Sequence, residues 1–190
     1  MISRPGLLIR PRARLRHNLL PYSAAFESWT NSHGPLTPGA LAGPVAAAAL
    51  MVDDALGTPH MVYENATIPA GAVTFSIYFK SKDRKRILIR EGTTTGAAAS
   101  FDGSTGQVIP SQAGGSGAIS AAAGGFDRAS MTCTLAAGSH LWSVYILQDT
   151  GSSYADVTFV GTGIGLYICG AQLTPGSIAL PYVGTGASPR

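Results

Sequence analysis

Residues 72–80 read Ala-Val-Thr-Phe-Ser-Ile-Tyr-Phe-Lys, and their alternation decides the fold class. Val73, Phe75, Ile77 and Phe79 fall on one face of an extended chain, and Thr74, Ser76, Tyr78 and Lys80 fall on the other. A helix would scatter both sets around its axis, so this is a strand with one face turned to a core. A charged turn follows at residues 81–86 (Ser-Lys-Asp-Arg-Lys-Arg), and residues 87–90 return. That order predicts an antiparallel hairpin.

Working outward, the same kind of pattern recurs in short pieces. Residues 60–67, 97–101, 107–110, 141–147, 156–160, 165–173 and 180–183 read as strands between Gly, Pro, Asn or Asp turns. In residues 126–135 the alternation places Ala129, Met131, Cys133 and Leu135 inward. Residues 45–52 fit either a buried strand or a helical turn. Residues 30–44 read as a loop, and 111–125, Ser, Ala and Gly but for Gln112 and Ile119, as a loop or a weak sheet edge. Roughly nine or ten short strands, no long amphipathic helix and no fixed repeat period predict an antiparallel sandwich or barrel. Trp29, Phe75, Phe79, Phe101, Phe126, Trp142, Phe159 and Tyr167 are spread along the body and supply its core.

Composition agrees. The chain has 190 residues with 45% hydrophobic content, which suits a domain with a sizeable core. Only 12% of residues are charged, while Gly reaches 24 and Pro 12, a balance of turns and strands rather than disorder. So much uncharged surface is tolerable where other subunits cover it, which predicts a homo-oligomer. The charge is also uneven. Residues 1–17 carry Arg4, Arg10, Arg12, Arg14 and Arg16 and no acid, whereas the rest holds eight basic and ten acidic residues, 8 − 10 = −2. The basic character therefore belongs to an N-terminal arm (1–17) and not to the body (18–190). Leu7, Leu8 and Ile9 lie among the arginines. Tracking phosphates needs no apolar residues, so the arm reads as a docking segment for a protein partner in preference to nucleic acid.

No chemistry of bond cleavage is legible. His17, His33, His60 and His140 sit in no nucleophile motif, and no Gly-x-Ser-x-Gly occurs. The adjacent Asp53 and Asp54 cannot both face one glycosidic bond from a strand. They leave open a loop Ca²⁺ site completed by backbone carbonyls, though the reading assigns no metal and no cofactor. Residues 161–165 (Gly-Thr-Gly-Ile-Gly) lack the Gly-Lys-Ser/Thr of a phosphate loop and read as a glycine-eased strand or bulge. Cys133 and Cys169 have no metal-ligand spacing and read as two buried free thiols. No apolar run approaches the length of a membrane helix. Tyr22, Tyr63, Tyr154 and Tyr182, near turns or strand ends, are the candidates for stacking on a sugar.

Five stretches occur in an order that resembles the small jelly-roll modules of bacteriophage virion proteins. They are Asn18-Leu-Leu with Ser23, Phe26 and Trp29; Phe75-Ser-Ile-Tyr-Phe-Lys80; Phe101-Asp with Gly106; Phe126-Asp-Arg128; and Gly170-Ala-Gln-Leu followed by Pro181-Tyr-Val and Thr185. The chain departs from the family where Phe126-Asp127 replaces a Trp-Tyr pair and where Thr174 replaces an acidic residue. The resemblance implies an antiparallel β-sandwich of jelly-roll type with an extended N-terminal arm. It implies a non-enzymatic virion component, first of all a capsid decoration (cement) or head-spike protein docked through its arm on other virion proteins. The alternative is a tail or head fibre module that binds host polysaccharide, and the clustering of such jelly rolls with exchanged arms implies a homotrimer.

Overall fold

The alternating stretch around Phe75 is the centre of one of two stacked sheets. A computed structural model describes residues 17–190, and the arm residues Arg4, Leu7, Leu8, Ile9, Arg10, Arg12, Arg14 and Arg16 lie outside the described part. The strands in chain order are β1 (Thr30–Ser32), β2 (Leu36–Ala42), β3 (Ala47–Val52), β4 (Gly57–Pro59), β5 (Met61–Ile68), β6 (Gly71–Ser81) and β7 (Arg86–Glu91). They continue with β8 (Ala98–Asp102), β9 (Gln107–Ala113), β10 (Ser116–Ala121), β11 (Asp127–Leu135), β12 (Gly138–Leu147), β13 (Thr158–Val160) and β14 (Gly165–Pro175). The first sheet runs β1-β5-β12-β7-β8-β9 and the second β10-β11-β6-β14-β3-β2, with β13 and β4 as a separate pair. Every strand pairing is antiparallel. The protein is an all-β sandwich.

Period-two faces explain why the two sheets stack. Val73, Phe75, Ile77 and Phe79 of β6 and Ala129, Met131, Cys133 and Leu135 of β11 point inward from the second sheet. Val62, Ile87, Ile89, Phe101, Trp142, Val144 and Ile146 meet them from the first. Trp142 and Phe75 stack across the gap, with ring centroids 5.6 Å apart and planes 9° from parallel. Each such side chain moved out of water contributes about 1.5–3 kcal/mol, so the core holds the sheets together.

Three sequence expectations change. The predicted hairpin between β6 and β7 does not form, because the two strands lie in different sheets. Both sides of β6 are taken by β11 and β14. The link between β6 and β7 is pulled over the rim instead: the N–H groups of Asp83 and Arg84 donate to the Gly165 carbonyl, and Arg84 reaches Asp53. Residues 30–44 are not one loop but contain β1 and β2, with Pro38 and Gly39 at a register shift in the edge strand β2. Of the two readings open for residues 111–125, the sheet edge is the one the structure shows: they supply the end of β9 and an edge strand, β10. Residues 180–183 form no strand; the tail lies on the outer face of the second sheet, held by side chains of Gln172 and Arg128. Residues 45–52, open between two readings, are strand from Ala47.

The start and end of the body are tied together. Asn18, fully buried, donates its amide to the Ala171 and Val183 carbonyls and accepts the N–H groups of Leu20 and Leu173. Ser23 and Thr185 exchange hydrogen bonds, each backbone N–H donating to the other's hydroxyl. The five motifs that carry the sequence resemblance thus include both halves of one buried clasp.

Candidate functional site

The outer face of the first sheet carries the richest exposed chemistry. Core-facing Val62, Ile89 and Val144 force their neighbours Tyr63, Arg90 and Ser143 or Tyr145 to the opposite face. Register then lines up Tyr63 on β5, Ser143 on β12, Arg90 on β7 and Ala98 on β8 in one row across the strands. Tyr63 and Arg90 are therefore two strand spacings, about 10 Å, apart. The segment after β12 crosses this face and lays Tyr154 over the row. The Arg90 guanidinium carbon sits 3.8 Å from the Tyr154 ring centroid. Tyr154 is 41% exposed. Beneath it, Tyr145 meets the Tyr154 ring edge-on at 5.6 Å and 81°.

Packing below the platform makes it rigid. Leu88, Ala98, Tyr145, Leu147 and Val157 form a second, smaller apolar cluster on this face, with Met61 at its margin. Burial pushes the Tyr145 phenol up, against hydrogen bonds with Ser143 and Arg90 that act to lower it. Arg90 has no carboxylate partner among the described residues, and its Nε is buried without a hydrogen bond. Its neighbours Arg84 and Arg86 differ: the first pairs with Asp53 at 2.6 Å and the second with Asp102 at 2.8 Å. Arg90 thus carries a cation with no ion-pair partner among the described residues, lying against one face of the partly exposed Tyr154 ring. An aromatic ring with a planar donor fork beside it can stack a pyranose and bind its hydroxyls or a carboxylate.

The candidate tyrosines separate cleanly. Tyr63 and Tyr154 share the outer face of the first sheet, Tyr63 two strands from the Arg90 on which Tyr154 lies. Tyr22 belongs to the clasp: its φ is 47, its N–H donates to Gly186 and its carbonyl accepts the Trp29 indole N–H at 3.1 Å. Tyr182 packs on the outer face of the second sheet and shares a 3.0 Å hydrogen bond with Ser23. Sequence reasoning misses Arg90, Ser143 and Tyr145. The signal for them was the period-two phase of β7 and β12, which fixes the face but not the cross-strand partner.

Solved structures of similar shape exist. One is the enzymatically active domain of bacteriophage CBA120 tailspike protein 4, with a TM-score of 0.47 and 13% identity over 82% of this chain. This chain spans 21% of that tailspike chain. Another is TmCBM61 in complex with β-1,4-galactotriose, with a TM-score of 0.47, 11% identity, 83% of this chain and 97% of that one. A third is the carbohydrate-binding module CBM6cm-2 from Cellvibrio mixtus lichenase 5A in complex with cellotriose, with a TM-score of 0.44, 10% identity, 84% of this chain and 97% of that one. No protein-family model and no curated protein matches the sequence.

The remaining polar clusters are occupied by the protein's own groups. Asp53 Oδ1 accepts the N–H groups of Thr162, Gly163 and Ile164, and Oδ2 takes Arg84 Nε. The glycine-rich 161–165 stretch is therefore a nest of backbone donors wrapped around an internal carboxylate. With its lone pairs on N–H donors, Asp53 is not placed as a calcium ligand. Asp54 contacts His33 Nδ1 at 2.9 Å and lies beside His60. Glu91, fully buried, takes His140, Thr93, Thr94 and Thr95. On the second sheet an open groove of about 150 Å³ is lined by Ala118, Ile119, Ser120, Arg128, Ser130 and Ala179. There Arg128 is spent on the Ser76 hydroxyl and the Leu180 carbonyl.

Proposed function

We propose that the protein is a non-enzymatic saccharide-binding β-sandwich of a bacteriophage virion, taking host polysaccharide on the outer face of its first sheet. The observation that carries this reading is Arg90: a guanidinium without a carboxylate, stacked 3.8 Å from the half-open Tyr154 ring and two strands from Tyr63. Sugars bearing a carboxylate are the favoured class, because the unpaired cation gains most from them. The absence of catalysis is supported by the state of the buried carboxylates. Asp53, Asp102 and Glu91 are each saturated by cations, hydroxyls or backbone N–H groups, and none is set opposite another as acid and base.

The virion setting rests on the ordered motifs of the sequence. Capsid decoration through the arm depends on Arg4 to Arg16, outside the described residues, and is the second reading of the same setting. The test is titration calorimetry with purified host capsular polysaccharide. Tyr154→Ala is expected to weaken binding about tenfold, the equivalent of ~1.4 kcal/mol. Unchanged affinity in both Tyr154→Ala and Tyr63→Ala removes the platform reading. Attachment to virions that survives those changes but is lost with residues 1–17 supports decoration in its place.

A further inference from the structure

Two sheets of six strands leave four edges, and three of them are guarded. β1 is only three residues long. β2 carries Pro38 and a register shift between Thr37 and Leu41. β9 carries Pro110. Short length, proline and irregular register are the ordinary means by which sheets avoid adding strands. β10 has none of them. It reads Ser-Gly-Ala-Ile-Ser-Ala, with no charge and no proline. It runs in unbroken register with β11 from Ser116↔Thr132 to Ala121↔Asp127, and among the described residues it pairs with no strand on its other side.

The N–H and C=O groups that point away from β11, on alternate residues, have no ladder partner among the described residues. We propose that β10 is the pairing edge of a homodimer, in which two copies join antiparallel into one continuous twelve-stranded sheet. A second copy suits this edge for two reasons. A two-fold axis sets this short segment against itself, which is costly where the segment carries like charges and free of that cost for this neutral strand. The side chains are also small, so the backbones can approach to ladder distance without displacing bulk. Keeping both outer faces on one side restricts the register to pairs whose numbers sum to an even value, such as Ala118 with Ala118 of the second copy and Ser116 with Ser120. The proposal is independent of the saccharide platform, which lies on the other sheet.

The experiment is light scattering on the full chain over a concentration series, with charge-swapped variants. Ala118 is exposed, so Ala118→Glu and Ala118→Lys are compatible with folding, which circular dichroism checks. The wild type is expected at twice the chain mass. Either variant alone is expected to be monomeric, and an equimolar mixture of the two to regain the doubled mass. A wild type that stays monomeric at every concentration overturns the proposal in favour of a strand from a different protein. A dimer that both variants form unaided overturns it in favour of another surface.

Discussion

Asn18 Oδ1 accepts the N–H of Leu173 at 3.0 Å, across 155 residues of chain. The same amide donates to the carbonyls of Ala171 and Val183, at 3.1 and 2.9 Å. One buried side chain thereby fixes the entry to the sandwich, strand β14 and the tail. Replacement by leucine keeps the branched shape and leaves two carbonyls and two N–H groups without partners. Each buried polar group so orphaned costs about 1–3 kcal/mol before relaxation. Asn18→Leu is expected to lower unfolding free energy by about 3–5 kcal/mol in urea titration. A loss under ~1 kcal/mol would show that the clasp is dispensable.

Asp53 makes a second long-range tie, from the end of β3 to Arg84 and to the 162–164 backbone. Burial acts to raise its carboxyl, but the Arg84 and backbone hydrogen bonds outweigh it and hold it below the ordinary range. Removing one partner of a buried pair leaves an uncompensated charge, at about 3–5 kcal/mol. Asp53→Ala is expected to destabilise by that amount, more than the double change Asp53→Ala with Arg84→Met. The neighbouring Gly161 is tightly enclosed: a Cβ there would sit 2.6 Å from Asp53 Oδ1 and against the Asp54 carbonyl. Gly161→Ala should therefore also lower the melting temperature.

Local pattern and distant contact divide what the sequence could tell. The alternation in β6 and β11 was legible because Phe75, Phe79, Met131 and Leu135 each mark the core face without help from elsewhere. The sheet assignment of β7 was not, since the choice between hairpin and crossing lies in Arg84 finding Asp53 and in the Gly165 carbonyl. Pro38 and Gly39 disguised β2 as loop; both are tolerated there because the strand is at an edge. The apolar residues 180–183 suggest a strand, yet Gln172 and Arg128 side chains take the bonds a ladder would have made. Of the platform, Tyr63 and Tyr154 stood out by type, while Arg90 gained its meaning only from register with Ser143 and Tyr63.

Glu91 gives the fold an acid limit. Burial acts to raise its carboxyl, but hydrogen bonds from Thr95, His140 and Thr93 prevail and hold it at about 2, down from 4.5. A depressed carboxylate contributes stability that is present above its unfolded value and lost as pH falls through its folded one. The contribution, on the order of 3 kcal/mol, should fade between about pH 4.5 and pH 2. Glu91→Gln is expected to flatten the stability profile in that window while lowering stability at pH 7. Chemical denaturation at a series of pH values reads both effects; a slope in that window equal to the wild type's would remove Glu91 as its cause.

Cys133 and Cys169 are free and buried, the first on the core face of the second sheet and the second on its outer face. Burial pushes their thiols up to about 11 and about 12. The thiolate is the reactive form, so both should be inert to Ellman's reagent near pH 8 in the folded protein. Two equivalents are expected on unfolding in guanidinium. Fast labelling of the native protein would place at least one thiol at the surface.

The platform itself makes a prediction that separates its two chemistries. Stacking on Tyr154 and Tyr63 depends on ring faces and is indifferent to salt, whereas Arg90 acts through charge and is screened within about 10 Å at 0.1 M ionic strength. Arg90→Lys keeps the charge and loses the planar fork that lies on Tyr154. On an acidic polysaccharide it should weaken binding by about three- to tenfold and preserve the salt dependence. Arg90→Gln should weaken it further and abolish that dependence. Tyr154→Phe should be close to neutral, because the ring face and not the hydroxyl meets the guanidinium. Calorimetry at two salt concentrations distinguishes these cases; equal losses for Arg90→Lys and Arg90→Gln with salt dependence intact would mean that Arg90 only supports the fold of this face.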